Sequence, residues 1–365
     1  MCRKNSACLG NVIDLDMGKE RIVEIELMRV IAALVIMLYH MDILPGGLLA
    51  VELFAVLTGV LLFKSWARRD SSARTNVFSE TCAFIVRKIR VFYPELFIAT
   101  ILGIMCYNYT KYSWYEGVNY VLQTLVGNLL LLKMSGFSWC SYGACPPVWY
   151  LSSMIFSILV IYPVISRWRC NLGCLIAGSL LFLFLYYHEG GVMRQSVTDW
   201  LYVTYSGNIR IGSELLISIG ISPYIYRLVV MIKQKKLCRY LVRVVQYLTL
   251  IGIFALFFKK NGYTDILFLL LSLTYVVCVF ARSEAGDYQL RNCSLLKYSS
   301  VASIAIFLTH SPALCISGGL QTRLGLNPEV NVLLAFLITS VFSLICIYGG
   351  ICLRIFFNKS HKVKS

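Results

Sequence analysis

Two residues of this chain that could do chemistry, Arg29 and His40, bracket a run of ten apolar or aromatic residues. They are eleven positions apart, which returns to the same helix face after a rise of about 16 Å. Glu26 shares that face and is expected to pair with Arg29. Ionisable groups inside a membrane helix are costly and commonly mark functional sites. We therefore interpret the stripe as functional, with His40 as a candidate general base. The alternative is an arginine snorkelling to lipid headgroups and a histidine satisfied in the core.

Further ionisable residues lie in other apolar segments. Glu52 could orient His40, as a carboxylate orients an imidazole in a triad, or could be an interfacial acid near the outer surface. Arg210 has a predicted partner four residues later, Glu214. His310 either lines a polar cavity or is satisfied by neighbouring carbonyl groups.

Two other pairs of residues carry binding chemistry. Arg87 and Arg90, at i and i+3, could present two guanidinium groups to phosphates, or could simply anchor the chain on the cytoplasmic side. Trp149 and Tyr150 suit the membrane interface, or a stacking platform for a sugar. Cys140 and Cys145 could close a small disulfide in an oxidising compartment. The spacing of the cysteines indicates no metal site.

The elements that position these residues are membrane helices. Of 365 residues, 58% are hydrophobic and 14% are charged, which predicts an all-α, polytopic transmembrane bundle. The run 121–132 is too short to span and is predicted to be re-entrant or interfacial. The ten predicted spans are, in chain order, 25–43, 48–63, 91–109, 148–166, 172–187, 208–226, 244–258, 264–281, 301–319 and 330–352.

Charge distribution orients this bundle. Alternate loops hold 26 Lys and Arg on the side of the N-terminus and 6 on the other, so both termini are predicted to be cytoplasmic. The net charge of +16 is spread over loop clusters, with no basic, aromatic-interleaved module for nucleic acid. No cleavable signal peptide is expected in the first 20 residues. The predicted organisation is a cytoplasmic segment 1–24, one membrane domain 25–357 and a basic tail 358–365.

The chain resembles the membrane-bound acyltransferase 3 family in a series of short elements that occur in the family's order. Their shared order is more diagnostic than any single one. The elements are ELMRVIAA from Glu26, YH ending at His40, AVELFAVLTG ending at Gly59, RKIRVFYP ending at Pro94, GNLLLL from Gly127, VWYLS from Val148, NIRIG from Asn208 and YSSVASIAIFLTHSP ending at Pro312. Many members carry a glutamate where this chain has Met154, a variant similar to capsule and exopolysaccharide acetyltransferases.

The resemblance implies an inner-membrane O-acyltransferase that moves an acetyl or other short acyl group from acetyl-CoA, or another acyl-CoA, to a hydroxyl of a surface polysaccharide or its lipid-linked precursor. No metal is implied. The implied roles are catalysis by His40, Glu52 and Arg29, donor binding by Arg87, Arg90 and Arg29, and acceptor binding by Arg210, His310, Trp149, Tyr150 and Asn128.

Two alternatives from other classes stay open on the sequence. A transporter or flippase of a lipid-linked or anionic substrate would also use buried Arg and His residues and a basic cytoplasmic side. Against it, the chain lacks two similar halves with interrupted helices at matching positions. An accessory subunit of a polysaccharide machine would leave His40 unexplained.

Overall fold

The computed structural model describes residues 22–67, 76–111, 114–137, 145–168, 170–190, 199–259, 264–287 and 294–362. Helices account for nearly all of this structure, with one antiparallel two-residue hairpin, β1 (Trp200–Leu201) and β2 (Thr204–Tyr205). The helices are α1 (Val23–His40), α2 (Ala50–Ala67), α3 (Val77–Lys111), α4 (Trp114–Leu129), α5 (Val148–Trp168), α6 (Asn171–His188), α7 (Ser206–Ile221), α8 (Pro223–Gln234), α9 (Lys236–Phe257), α10 (Thr264–Glu284), α11 (Ser294–Leu324) and α12 (Pro328–Lys362).

Within the described ranges, nine helical segments are long and apolar enough to cross a membrane. They confirm the predicted polytopic helical bundle. Helix α1 is not among these nine segments, because it carries three charged residues, Glu24, Glu26 and Arg29, among its 18 residues. It nevertheless packs along α11 and α2, so that Glu26 is buried and Glu24 and Arg29 are only partly exposed. The cytoplasmic placement of the termini stays a prediction.

The structure changes two predicted elements. The basic stretch around Arg87 is continuous with the third predicted span, forming the 35-residue helix α3 with Pro94 inside it. The sixth predicted span divides into α7 and α8 at Ser222. Pro223 has no N–H to continue α7 but suits the first turn of a new helix, so the division falls there.

Close helix packing in the centre of the bundle depends on small residues. At the contact between α6 and α7, a Cβ added to Gly178 would lie 2.8 Å from the nitrogen of Ile217, and one added to Gly220 would lie 2.6 Å from the Cβ of Leu175. Such contacts let membrane helices approach closely. Helix α7 thereby also reaches α2 and α5, which places Arg210 inside the bundle.

Candidate active site

Two histidines from opposite ends of the sequence meet at the end of α1. The rings of His40 and His310 are stacked, with centroids 5.2 Å apart and planes 21° apart. His40 is exposed, whereas His310 is fully buried in α11. The Nδ1 of His310 lies 3.3 Å from the carbonyl oxygen of Ile306, and its Nε2 has no hydrogen-bond partner among the described residues. The pair therefore combines an accessible imidazole with a buried one that has a free nitrogen.

An aromatic cluster lies beside this pair. The ring of Phe307, one turn before His310, is 6.2 Å from the His310 ring and 6.0 Å from that of Tyr150. Phe54 contacts both Phe307 and Tyr150, and the half-buried Trp149 packs edge-on against Tyr150. The cluster gives the histidine pair an apolar wall, which strengthens electrostatic interactions at the site.

The hydroxyl of Tyr150 is part of a small polar contact inside this wall. It lies 3.4 Å from the hydroxyl of Thr58, which donates to the carbonyl of Phe54 and lies 3.9 Å from the sulfur of Met154. Met154 stands where many family members have glutamate, and here it is buried against Thr58. A thioether rather than a carboxylate therefore occupies this position, so it supplies no acid or base.

Glu52 forms its ion pair with Arg210 rather than with His40. One Nη of Arg210 donates to Glu52 Oε1 at 2.7 Å, and its Nε lies 3.5 Å from Glu214 Oε1. The three side chains are at most 3% exposed. The partnership with Glu214 follows the i, i+4 prediction, whereas the contact with Glu52 joins α7 to α2. The structure gives Glu52 no contact with the imidazole of His40.

Arg29 lies at the other end of the α1 stripe. It donates to Glu26 at 3.2 Å, as the i, i+3 spacing predicts. Glu26 Oε2 also accepts a hydrogen bond of 3.5 Å from Ser299 of α11, so this ion pair is fixed against the helix that carries His310. The Arg29 side chain stays a quarter exposed and can contact a ligand.

Arg87 and Arg90 are both exposed on α3. Neither forms an ion pair within the part of the chain that the structure describes. One turn after Arg90, the buried carboxylate of Glu95 accepts two hydrogen bonds of 2.7 Å from Arg354 of α12. This bidentate pair fixes α3 against α12 and leaves the two exposed arginines available for an anionic ligand.

The last turn of α4 and the turn that follows it carry further buried polar groups. Asn128 is fully buried, and its amide nitrogen and oxygen have no partner among the described residues. Lys133 is also buried, and its Nζ donates to the carbonyl oxygen of Cys145 at 3.4 Å. Burial lowers the pKa of Lys133 to about 8, against the opposing influence of Cys145.

Cys145 carries a free, buried thiol, which donates to the carbonyl oxygen of Leu308 at 3.2 Å. Burial raises its pKa to about 12, despite the nearby amine of Lys133. Cys140 lies outside the described residues. The thiol of Cys145 is therefore used as a link to α11, not in the disulfide considered from the sequence.

Sequence reasoning missed two polar positions that the structure brings out. Arg354 enters the sequence analysis only through the count of cations on the side of the N-terminus, yet it pairs with Glu95. The signal for this pair was an acid, Glu95, inside an apolar run. Lys133 was counted only as an outer-loop cation, because nothing in its local sequence distinguishes a buried lysine from an exposed one. Within the described ranges, no group of three or more His, Cys, Asp or Glu is placed to hold a metal ion.

A polytopic helical bundle with buried Arg–Glu pairs and a histidine pair beside an apolar wall defines the class: an integral membrane protein with an internal polar site suited to proton transfer. The model of the acyltransferase 3 family, an acyltransferase domain, matches residues 22–352. The chain belongs to this family and is a membrane acyltransferase. No curated protein and no solved structure matches the chain.

Proposed function

We propose that the protein transfers an acetyl or other short acyl group from acyl-CoA to a hydroxyl of a surface polysaccharide or its lipid-linked precursor. The observation that carries this proposal is the stacked pair of His40 and His310, in which one ring is accessible and the other is buried with a free nitrogen. The acceptor and the donor are expectations from the family resemblance, and the histidine pair supplies the chemistry that they need.

In this proposal His40 is the general base. It removes the proton of the acceptor hydroxyl as the oxygen attacks the thioester carbonyl. The tetrahedral intermediate then collapses, the C–S bond breaks, and the imidazolium returns the proton to the departing thiolate. His310, stacked 5.2 Å away, fixes the orientation of the His40 ring and disfavours a positive charge on both rings at once.

The donor is proposed to approach from the predicted cytoplasmic side. Arg87 and Arg90 bind the phosphates of acyl-CoA with their free guanidinium groups. Arg29 lies between this surface and His40, about 16 Å from the latter along α1, and contacts the pantetheine arm. Glu52 acts through Arg210 by holding α2 against α7, so its role is positioning. Trp149, Tyr150 and Asn128 are proposed to contact the acceptor.

The test is transfer of radiolabelled acetyl from acetyl-CoA to the host's glycan or lipid-linked repeat by purified protein in nanodiscs. His40→Ala and His310→Ala are compared with His188→Ala, which removes an exposed histidine at the end of α6. We expect His40→Ala to lower kcat by about 10²–10⁴-fold, the usual contribution of a general base. His188→Ala should behave as wild type.

The outcomes separate the assignments. Full activity of His40→Ala with loss in His310→Ala would transfer the base role to His310. Full activity in both variants would contradict the proposed site. No transfer by the wild type with any short acyl-CoA, although the protein is folded, would contradict the proposed donor and acceptor.

A further inference from the structure

Lys133 is a buried cation without a counter-ion. The residue is 6% exposed, and its ammonium makes one hydrogen bond, of 3.4 Å, to the carbonyl oxygen of Cys145. No carboxylate pairs with it within the ranges that the structure describes. An ammonium has three donors, and burying one without an opposite charge is costly. Such an arrangement is expected where a ligand supplies the missing negative charge.

The main chain around Lys133 is held firmly in place. Ser152 Oγ donates to the carbonyl oxygen of Leu131 at 2.6 Å and accepts from the N–H of Met134 at 3.0 Å. Asn208 donates to the carbonyl oxygen of Met134 at 2.8 Å. Residues on both sides of Lys133 are therefore bonded to α5 and α7, which places the ammonium at a defined position instead of leaving it on a free loop.

Unused hydrogen-bonding groups accompany this ammonium. Asn128, whose carbonyl oxygen accepts from the N–H of Leu131 in the same turn, is fully buried with an unpartnered side-chain amide. The side-chain oxygen of Asn208 is also buried without a partner among the described residues. Amide donors and acceptors are the groups that bind sugar hydroxyls, so the turn offers one positive charge and several neutral polar groups.

The turn is connected to the histidine pair through one residue. Cys145 accepts from Lys133 with its carbonyl oxygen, and its thiol donates to Leu308, two residues before His310 in α11. The predicted topology places Lys133 on the side of the membrane opposite the exposed arginines of α3. The ammonium therefore lies away from the surface proposed to bind the donor.

We propose that Lys133 binds an anionic group of the acceptor, either the carboxylate of an acidic sugar or the phosphate of a lipid carrier. Asn128 and Asn208 bind the neighbouring hydroxyl groups. This proposal deepens the proposed function and rests on it for the identity of the acceptor. The site would select acidic acceptors over neutral ones, because a neutral sugar leaves the buried ammonium uncompensated.

The experiment measures equilibrium binding to the purified full-length protein in nanodiscs, without acyl donor. Three probes are used: an oligosaccharide containing glucuronic acid, its carboxyl-reduced neutral counterpart, and a polyprenyl phosphate without sugar. The variants are Lys133→Met and Lys133→Gln, which remove the charge and keep much of the length. The control is Lys259→Met, which removes an exposed cation on the same predicted side.

We expect both Lys133 variants to weaken binding of one anionic probe by about tenfold or more, with the neutral probe and Lys259→Met unaffected. A loss confined to the acidic oligosaccharide identifies the sugar carboxylate, and a loss confined to the polyprenyl phosphate identifies the lipid carrier. Unchanged binding of both anionic probes, or equal losses for the acidic and neutral oligosaccharides, would overturn the proposal. Because no acyl transfer is measured, a wrong donor assignment leaves this result intact. Thermal unfolding identifies which of the two Lys133 variants is folded, and one folded variant is enough for the binding test.

Discussion

Removal of Arg210 is the perturbation with the largest expected effect on stability. Arg210→Met keeps the approximate length of the side chain and removes its charge. The variant leaves Glu52 and Glu214, both fully buried, without their shared cation. The ion pair between α7 and α2 is lost at the same time.

The magnitude of the expected loss in stability follows from the burial of the three side chains. Breaking a buried ion pair by removing one partner costs about 3–5 kcal/mol, because an uncompensated charge stays in the interior. At about 2 °C per kcal/mol for a chain of this size, the expected loss in Tm is about 6–10 °C. Glu52→Gln should cost less, about 1–2 kcal/mol, since Glu214 stays 3.5 Å from the guanidinium as a counter-ion.

The assay is thermal unfolding of the purified variants in one detergent, followed by tryptophan fluorescence. Arg243→Met is the matched control. The Arg243 side chain is 45% exposed, and its pair with Asp287 should contribute about 0–1 kcal/mol. The expected order of destabilisation is Arg210→Met, then Glu52→Gln, then Arg243→Met.

Equal melting temperatures for Arg210→Met and Arg243→Met would refute this reasoning, because they would show that the buried cluster contributes no more than a surface pair. A larger loss for Glu52→Gln than for Arg210→Met would contradict the expected order, because it would show that Glu214 alone does not compensate the guanidinium of Arg210. Equal melting temperatures would also remove the positioning role given to Glu52.

Three further predictions test other parts of the structure. Gly220→Ala should cost about 1–3 kcal/mol because its Cβ would meet the main chain of α6, whereas Gly318→Ala, with open space around it, should melt at or above the wild-type temperature. Arg90→Ala should raise KM for acyl-CoA about tenfold with little change in kcat. The control variant, Lys236→Ala, should change neither KM nor kcat. An unchanged KM in Arg90→Ala would argue against donor binding at Arg90. Burial alone would raise the pKa of Asp287, but hydrogen bonds from two arginines lower it overall. Its contribution to stability is therefore present above its unfolded pKa of about 3.9 and is lost as pH falls through the lower folded value. Asp287→Asn should be less stable than wild type at pH 7, and this difference should shrink as pH falls below about 3.9 in the same unfolding assay.

Several features of the bundle and of its site could be predicted from the sequence. Long apolar runs can satisfy their backbone groups in lipid only as helices, so the helical bundle followed from composition. The pairs Arg29–Glu26 and Arg210–Glu214 followed from spacing, because residues three and four apart share one helix face. The order of short elements indicated the acyltransferase 3 family, which the family match confirms.

Contacts between helices were decided by the tertiary structure. His40 and His310 are 270 positions apart, and Glu52 and Arg210 are 158 apart; helical periodicity fixes the face on which a residue lies but not which helix packs against that face. For this reason the sequence leaves open whether Glu52 orients His40, whereas the structure shows it paired with Arg210. The burial of Lys133 likewise depends on bonds from α5 and α7 that no local pattern encodes. The sequence by itself determined the helices and their polar stripes. Only the packing of those helices brought the stripes together, because side chains on separate helices interact only once both helices are in place.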